Sequence, residues 1–176
     1  MRNLNKGNAD IETFDLKSFL EAVYKITKGT IIIFCAKEQF SFIFGWFAKK
    51  DGTVRELIWE KSNPAPLNGE YVYLSGVENA VWFKKRGGVF NARCKNTVFK
   101  YPIWGGKKRI HPTEKNHDML AELIEDNSNE GDLVFDPCCG SASTCLVARN
   151  LGRKFVGIER DREFYERAVE RLSDKE

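Results

Sequence analysis

An α/β fold built on a parallel, doubly wound sheet is what the sequence predicts, and two observations carry it. Across the last third, the strand-like runs DLVFD and KFVGIE alternate with the helix-like runs SASTCLVARNL and RDREFYERAVERL. That spacing implies right-handed crossovers between parallel strands. Much earlier, TIIIFCA at 30–36 is short, continuous and β-branched, the pattern of a strand covered on both faces rather than alternately wetted.

Taken in order, Asp15 stands where an N-cap belongs, and LKSFLEAVYKI repeats apolar residues at helical spacing up to Lys28-Gly29, so a helix is expected over about 15–27. After the strand at 30–36, EQFSFIFGWFAKK reads as an aromatic-rich helix. VRELIWEK at 54–61 and, beyond the turn-rich SNPAPLNGE, YVYLSG with ENAVWFKK have the residues of paired antiparallel strands. Residues 86–110, with two glycine pairs, read as an irregular surface loop. Thr113 is expected to cap a helix bearing Met119, Leu120, Leu123 and Ile124, after which the strand and helix alternation begins.

The 176 residues, 42% of them hydrophobic, suffice for one core, so a single domain spanning 1–176 is expected. The 28 basic and 25 acidic residues nearly balance to a net charge of +3, so only the placement of charge can argue for a nucleic-acid partner. Cys35, Cys94, Cys138, Cys139 and Cys145 lack the CxxC spacing and neighbouring histidines of a zinc site. They read as reduced thiols of a cytoplasmic protein, with Cys138, Cys139 and Cys145 as small hydrophobes rather than nucleophiles, and no metal is expected. No run approaches the roughly 20 apolar residues of a membrane span, and the first ten residues carry no apolar signal core.

The segment from Asp132 to Thr144 places a turn containing Gly140 between a buried strand and a helix. Ligands of such folds sit beyond the carboxyl ends of the strands, where helix N-termini offer free N–H groups. Gly140 lets a ligand approach the main chain closely. The next strand ends in Gly157-Ile158-Glu159, where a carboxylate can accept from both hydroxyls of a ribose. Together these describe an adenosine-type pocket. A dinucleotide would call for GxGxxG, whereas here only Gly140 is present and the loop opens with Asp136-Pro137. Asp136 suits a ligand bearing an ammonium group better than one bearing two phosphates.

The stretch from IHPTEKNH through DLVFDPCCGSASTCLVARNLGRKFVGIE resembles the carboxyl-terminal half of the DNA N6-adenine and N4-cytosine methyltransferases. In that family HPTEKP lies beside the methionine moiety of S-adenosylmethionine, DPFxGSGTT is the cofactor loop and LGRxxIGIE ends on the ribose-binding acid. By position, the resemblance assigns His111, Pro112, Thr113 and Lys115 to the first motif. It assigns Asp136, Pro137, Cys138, Gly140, Ser141 and Ser143 to the second and Glu159 to the third. Residues 111–176 would then be the cofactor-binding half of a Rossmann-like methyltransferase sheet. The sequence departs from the pattern at Asn116 (proline in the family), Cys138 (an aromatic) and Ala142 (a glycine). With the cofactor loop last, the motif order resembles the permuted, β-type class, and double-stranded DNA is the implied partner. The region 86–110 occupies the family's target-contacting position, with Lys107, Lys108 and Arg109 as candidate phosphate contacts and Lys95, Lys100, Tyr101 and Trp104 beside them.

The family's catalytic loop is D/N/S-P-P-Y/F/W, which holds the target amino group while its aromatic ring stacks on the flipped base. Asn63-Pro64-Ala65-Pro66 is superficially similar but lacks the terminal aromatic. In the family order the loop belongs just before Met1, so catalytic residues and one central strand are expected to be missing. The strands at 30–35 and 132–135 should then either pair directly or admit a strand from a second polypeptide between them.

Overall fold

The structure, a computed structural model, describes residues 15–66, 69–105, 111 and 113–173. The carboxylate of Asp15 accepts from the N–H of Lys17 and starts α1 (Leu16–Ile26). There follow β1 (Thr30–Cys35), α2 (Lys37–Phe47), β2 (Gly52–Lys61), β3 (Val77–Lys85), β4 (Val98–Tyr101), α3 (His117–Asn127), β5 (Leu133–Asp136), α4 (Ser143–Asn150), β6 (Lys154–Gly157) and α5 (Arg162–Ser173). Two sheets result: β1-β3-β2-β4, in which β3 runs antiparallel to both neighbours and β4 parallel to β2, and the parallel pair β5-β6.

Alternation along the strands splits the apolar residues of the first sheet between two layers. Ile31, Val81 and Phe83 pack with Leu20 of α1 and Ile43 and Phe47 of α2. Ile32, Leu57, Trp59, Ala80 and Trp82 turn the other way, toward Met119 and Leu123 of α3. The same helix presents Leu120 and Ile124 to Val147 and Ala148 of α4 and to Val134 and Phe155 of the second sheet. One helix with two adjacent apolar stripes thus spans both sheets.

Strands β1 and β5 also end on the same side beneath it. Lys115, just ahead of α3, lies over the Phe34 ring near the carboxyl end of β1. Glu114 beside it pairs with Arg171, which donates to the Ser141 carbonyl beyond the carboxyl end of β5. The carboxyl ends of β1 and β5 therefore meet at the amino end of α3. Among the described residues, β1 pairs only with β3 and β5 only with β6. The direct pairing of the strands at 30–35 and 132–135 does not occur, and each keeps one unpaired edge.

Four other expectations are corrected. YVYLSG is no strand: β3 starts at Val77, and Tyr71 and Tyr73 are exposed. Residues 86–110 are not one irregular loop, because 98–101 form β4 and Phe99 is buried against β2. The neighbour of β1 is antiparallel, so the only parallel ladders among the described residues are β2·β4 and β5·β6. The cap of α3 is Asn116 rather than Thr113, its side-chain oxygen accepting from the N–H of Met119 at 3.0 Å. An asparagine where the family has proline thus gains a capping role.

Candidate functional site

The turn after β5 is built around Gly140, whose φ of +51° lies in the left-handed region. A Cβ there would stand 3.3 Å from the His111 ring, so conformation and space both call for glycine. Its N–H donates to Glu159 Oε2 at 2.8 Å, while the N–H of Asp161 donates to Oε1 at 2.8 Å. The acid after β6 therefore holds the loop after β5 in place. Asp136 ends β5, and its Oδ1 accepts from the N–H of Cys138 at 3.1 Å. Ser141 and Ser143 are buried, their hydroxyls 3.1 Å apart. Ala142 sits at φ +56° with 1% exposure. The left-handed conformation costs a residue with Cβ on the order of 1 kcal/mol, and burying the methyl offsets about 0.8 kcal/mol. Alanine is tolerable here for that reason.

His111 packs its ring edge-on to Phe164, the centroids 4.3 Å apart, and its Nδ1 lies 3.0 Å from the Thr113 hydroxyl. Pro112, Lys107, Lys108 and Arg109 lie outside the described residues. Lys115 does not reach the loop: its ammonium binds Glu78 at 2.5 Å and lies over Phe34 and Trp59. Glu78 also takes Lys61 at 3.0 Å. Burial alone would raise the Glu78 carboxyl, but the two ammonium groups outweigh it and hold its pKa below the ordinary value. The adjacent pair Glu114 and Lys115 thus reaches opposite ways, Glu114 to Arg171 of α5 and the cofactor-loop carbonyl, Lys115 to the first sheet. Glu114 is fully buried and also meets His117 Nε2 at 3.1 Å.

Glu114, Arg171, Glu78 and Phe164 were not singled out from the sequence. Their partners lie up to 57 residues away, and a charged residue near a helix start reads equally well as a solvated one. His117 is half-buried and stacks on Trp104 with centroids 4.0 Å apart. The loop residues expected to face a ligand are partly spent internally. Lys95 binds Asp126 at 2.7 Å and Glu122 at 2.9 Å. Tyr101 donates to Glu122, which together with burial pushes its pKa up to about 12.

The loop thiols Cys138 and Cys139 are held above the ordinary thiol range. Its hydrogen bond with Cys145, and then burial, raise Cys139; burial raises Cys138, helped by Asp136 and Glu159. Gly157 is fixed by these sulfurs, because a Cβ would fall 2.8 Å from Cys145 Sγ and 2.9 Å from Cys139 Sγ. Beside Glu159, the apolar Ile158 is 53% exposed. The arrangement offers an open glycine turn, a carboxylate with lone pairs beyond its two backbone bonds, and apolar surface next to it. Among the described residues, no group of three or more His, Cys, Asp and Glu side chains could hold a metal ion, and no helix is long and apolar enough to cross a membrane.

Residues 6–170 match the family model described as DNA methylase. Over 141 residues, 69% of the chain and 39% of the relative, the sequence is 30% identical to the type II methyltransferase M.HinfI of Haemophilus influenzae. Over 143 residues it is 28% identical to the type II methyltransferase M2.DpnII of Streptococcus pneumoniae, covering 68% of the chain and 50% of that protein. The chain thus spans half or less of the length of these curated relatives. The fold is similar to the crystal structure of an M1.HpyAVI-SAM complex, with a TM-score of 0.79 and 28% identity, covering 89% of this chain and 81% of that one. PvuII DNA methyltransferase (cytosine-N4-specific) shares the fold at a TM-score of 0.68 and 16% identity, covering 83% of this chain and 64% of that one.

Proposed function

The chain belongs to the DNA methylase family, and on that premise we propose that it is the cofactor-binding part of an S-adenosylmethionine-dependent methyltransferase acting on adenine N6 or cytosine N4 of double-stranded DNA. The observation that carries this reading is the double grip of Glu159 on the N–H groups of Gly140 and Asp161 at the carboxyl ends of β5 and β6. Each carboxylate oxygen retains a lone pair, so Glu159 can accept from two ribose hydroxyls without releasing the loop. Gly140, Ser141 and Ser143 form the turn, with Pro137 and Cys138 lining it. Asp136 lies on the side suited to an ammonium group. His111 packs against the turn, and Pro112, Thr113 and Lys115 belong to the same motif. The bound cofactor supplies an electrophilic methyl group on a sulfonium centre.

The unpaired edges of β1 and β5 beneath α3 support a further part of this reading, that a strand from outside the described residues enters between them. That strand, from an upstream segment or a second polypeptide, carries the D/N/S-P-P-aromatic loop. Lys107, Lys108 and Arg109 serve as phosphate contacts. Free thiols at all five cysteines suit a cytoplasmic setting.

Calorimetric titration tests the cofactor: S-adenosylmethionine should bind and NAD should not, and the reverse would overturn the reading. Incubation with labelled cofactor and unmethylated DNA tests the division of labour. The 176-residue chain alone should transfer no methyl group and should gain activity when a polypeptide bearing a D/N/S-P-P-aromatic loop is added. Robust transfer by the purified chain, with no co-purifying partner by mass spectrometry, would return Asn63-Pro64-Ala65-Pro66 to consideration as the catalytic loop.

A further inference from the structure

Between β2 and β3 the chain leaves the sheet at Ser62 and returns at Val77. Within this connection Tyr71, Val72, Tyr73 and Leu74 are four consecutive apolar side chains at 83, 60, 103 and 40% exposure. A run of that kind on a soluble surface marks a place where something binds.

Its position narrows what binds. Cys35, at the carboxyl end of β1, pairs with Asn79 near the start of β3, so the connection springs from the edge where β1 and β5 end. That is the edge carrying Gly140 and Glu159. Its base is tied down by the N–H of Lys61 on the Gly76 carbonyl at 2.8 Å, and by the Lys61–Glu78–Lys115 cluster, whose two ammonium groups share one carboxylate. The N–H of Ile103 donates to Asn63 Oδ1 at 2.6 Å. Ile103, two residues beyond β4, therefore lies against the base of the arm.

We infer that residues 69–74 form an aromatic arm that receives an unstacked base of DNA, with Tyr71 and Tyr73 supplying the stacking faces. This rests on the reading of the chain as part of a DNA methyltransferase, because chemistry on a base inside a duplex requires that base to leave the stack. Tyrosine rings offer a π-face to any base. A second copy of the chain fits less well, since the arm springs from the edge that carries Gly140 and Glu159 rather than from a separate face.

The experiment measures binding of the 176-residue chain to a fully paired duplex and to the same duplex with one adenine opposite an abasic site, over a range of salt. Wild type should prefer the duplex with the unpaired adenine. Y71A/Y73A should lose that preference, weakening binding to the abasic duplex by roughly tenfold to a hundredfold. Y71F/Y73F should retain it. The salt slope should stay unchanged, because no phosphate contact is removed. Equal affinity of wild type and Y71A/Y73A for the abasic duplex would overturn the proposal. So would a wild type that binds neither duplex, or a loss matched by a shift of Y71A/Y73A to a smaller species in sedimentation, which would assign the arm to self-association. Titration of the same variants with S-adenosylmethionine separates this inference from the cofactor reading: unchanged cofactor affinity with lost base preference supports the arm, whereas failure to bind cofactor counts against the proposed function alone.

Discussion

Replacing Glu159 separates its structural role from its role toward a ligand. Its carboxylate accepts two backbone N–H groups at 2.8 Å, from Gly140 and Asp161. Charge-assisted bonds of this kind contribute about 1.5–3 kcal/mol each, and the half-buried setting of Glu159 favours the low end. Glu159→Ala should therefore cost about 3 kcal/mol without any ligand. Glu159→Gln keeps one acceptor but turns an amide N–H2 toward a backbone donor, and should cost about half as much. For a chain of this length each kcal/mol moves Tm by about 2–4 °C, so melting followed by circular dichroism should fall roughly 6–12 °C for the alanine and half that for the glutamine. Saturating S-adenosylmethionine at a hundred times Kd should restore about 2.7 kcal/mol to wild type. Glu159→Ala should bind the cofactor at least tenfold more weakly and recover less. An unchanged Tm together with unchanged affinity would refute both halves of the argument.

Gly157→Ala would push a methyl into the Cys139 and Cys145 sulfurs, and is expected to lose about 1–3 kcal/mol in urea denaturation; a change within 0.5 kcal/mol, roughly the scale of a neutral surface substitution, would show that the sulfurs move aside. Gly140→Val, strained at its positive φ and crowded against His111, should abolish cofactor binding in calorimetry, and retained affinity would mean that the site lies elsewhere. Because the Glu78 pKa is lowered on folding, the stability it contributes is complete above its ordinary carboxylate range and is lost as pH falls through its lower folded value. Urea midpoints of wild type should thus drop toward acid more steeply than those of Glu78→Gln, and parallel profiles would contradict the pairing with Lys61 and Lys115. Neutralising Lys107, Lys108 and Arg109 together should reduce the salt slope of DNA binding by about one unit per lost phosphate contact; an unchanged slope would remove them from the interface.

What was legible in the sequence divides along a physical line. The turn at Gly140 and the acid at Glu159 could be read because both are local events at strand ends, separated by one crossover of fixed length. The helix at 15–27 was readable for the same reason, since a cap and a 3.6-residue period are near neighbours in sequence. β4 escaped notice because it is four residues long, and its pairing with β2 crosses about forty residues. YVYLSG misled in the opposite direction. Its β-branched and aromatic residues satisfy a strand pattern, but strand propensity largely measures packing against neighbours, and Tyr71 and Tyr73 have no sheet to pack on. The family motif was recognisable as a string, yet the string does not say why Glu and Lys stand side by side. The structure supplies the reason: Glu114 reaches to Arg171 and the loop after β5, and Lys115 to Glu78 in the first sheet.

That division of labour bears on the unpaired edges. Two sheets that share no backbone hydrogen bonds among the described residues are held in register by side chains of α3 and of the segment before it: Met119 and Leu123 on one sheet, Leu120 and Ile124 on the other, with the Glu114 and Lys115 pairs at the carboxyl ends. A strand entering between β1 and β5 would find its two hydrogen-bonding partners already parallel and already covered on the α3 face, so little of the ordering cost of a parallel ladder would remain. Breaking either pair should therefore weaken assembly with an entering strand more than it weakens the folded chain. Glu78→Gln and Glu114→Gln should each lower the affinity for an added polypeptide bearing the catalytic loop by at least fivefold in a pull-down titration, while the far-ultraviolet dichroism of the chain stays constant. Equal affinities with and without these pairs would mean that the alignment of the two sheets is set by the apolar stripes of α3 alone.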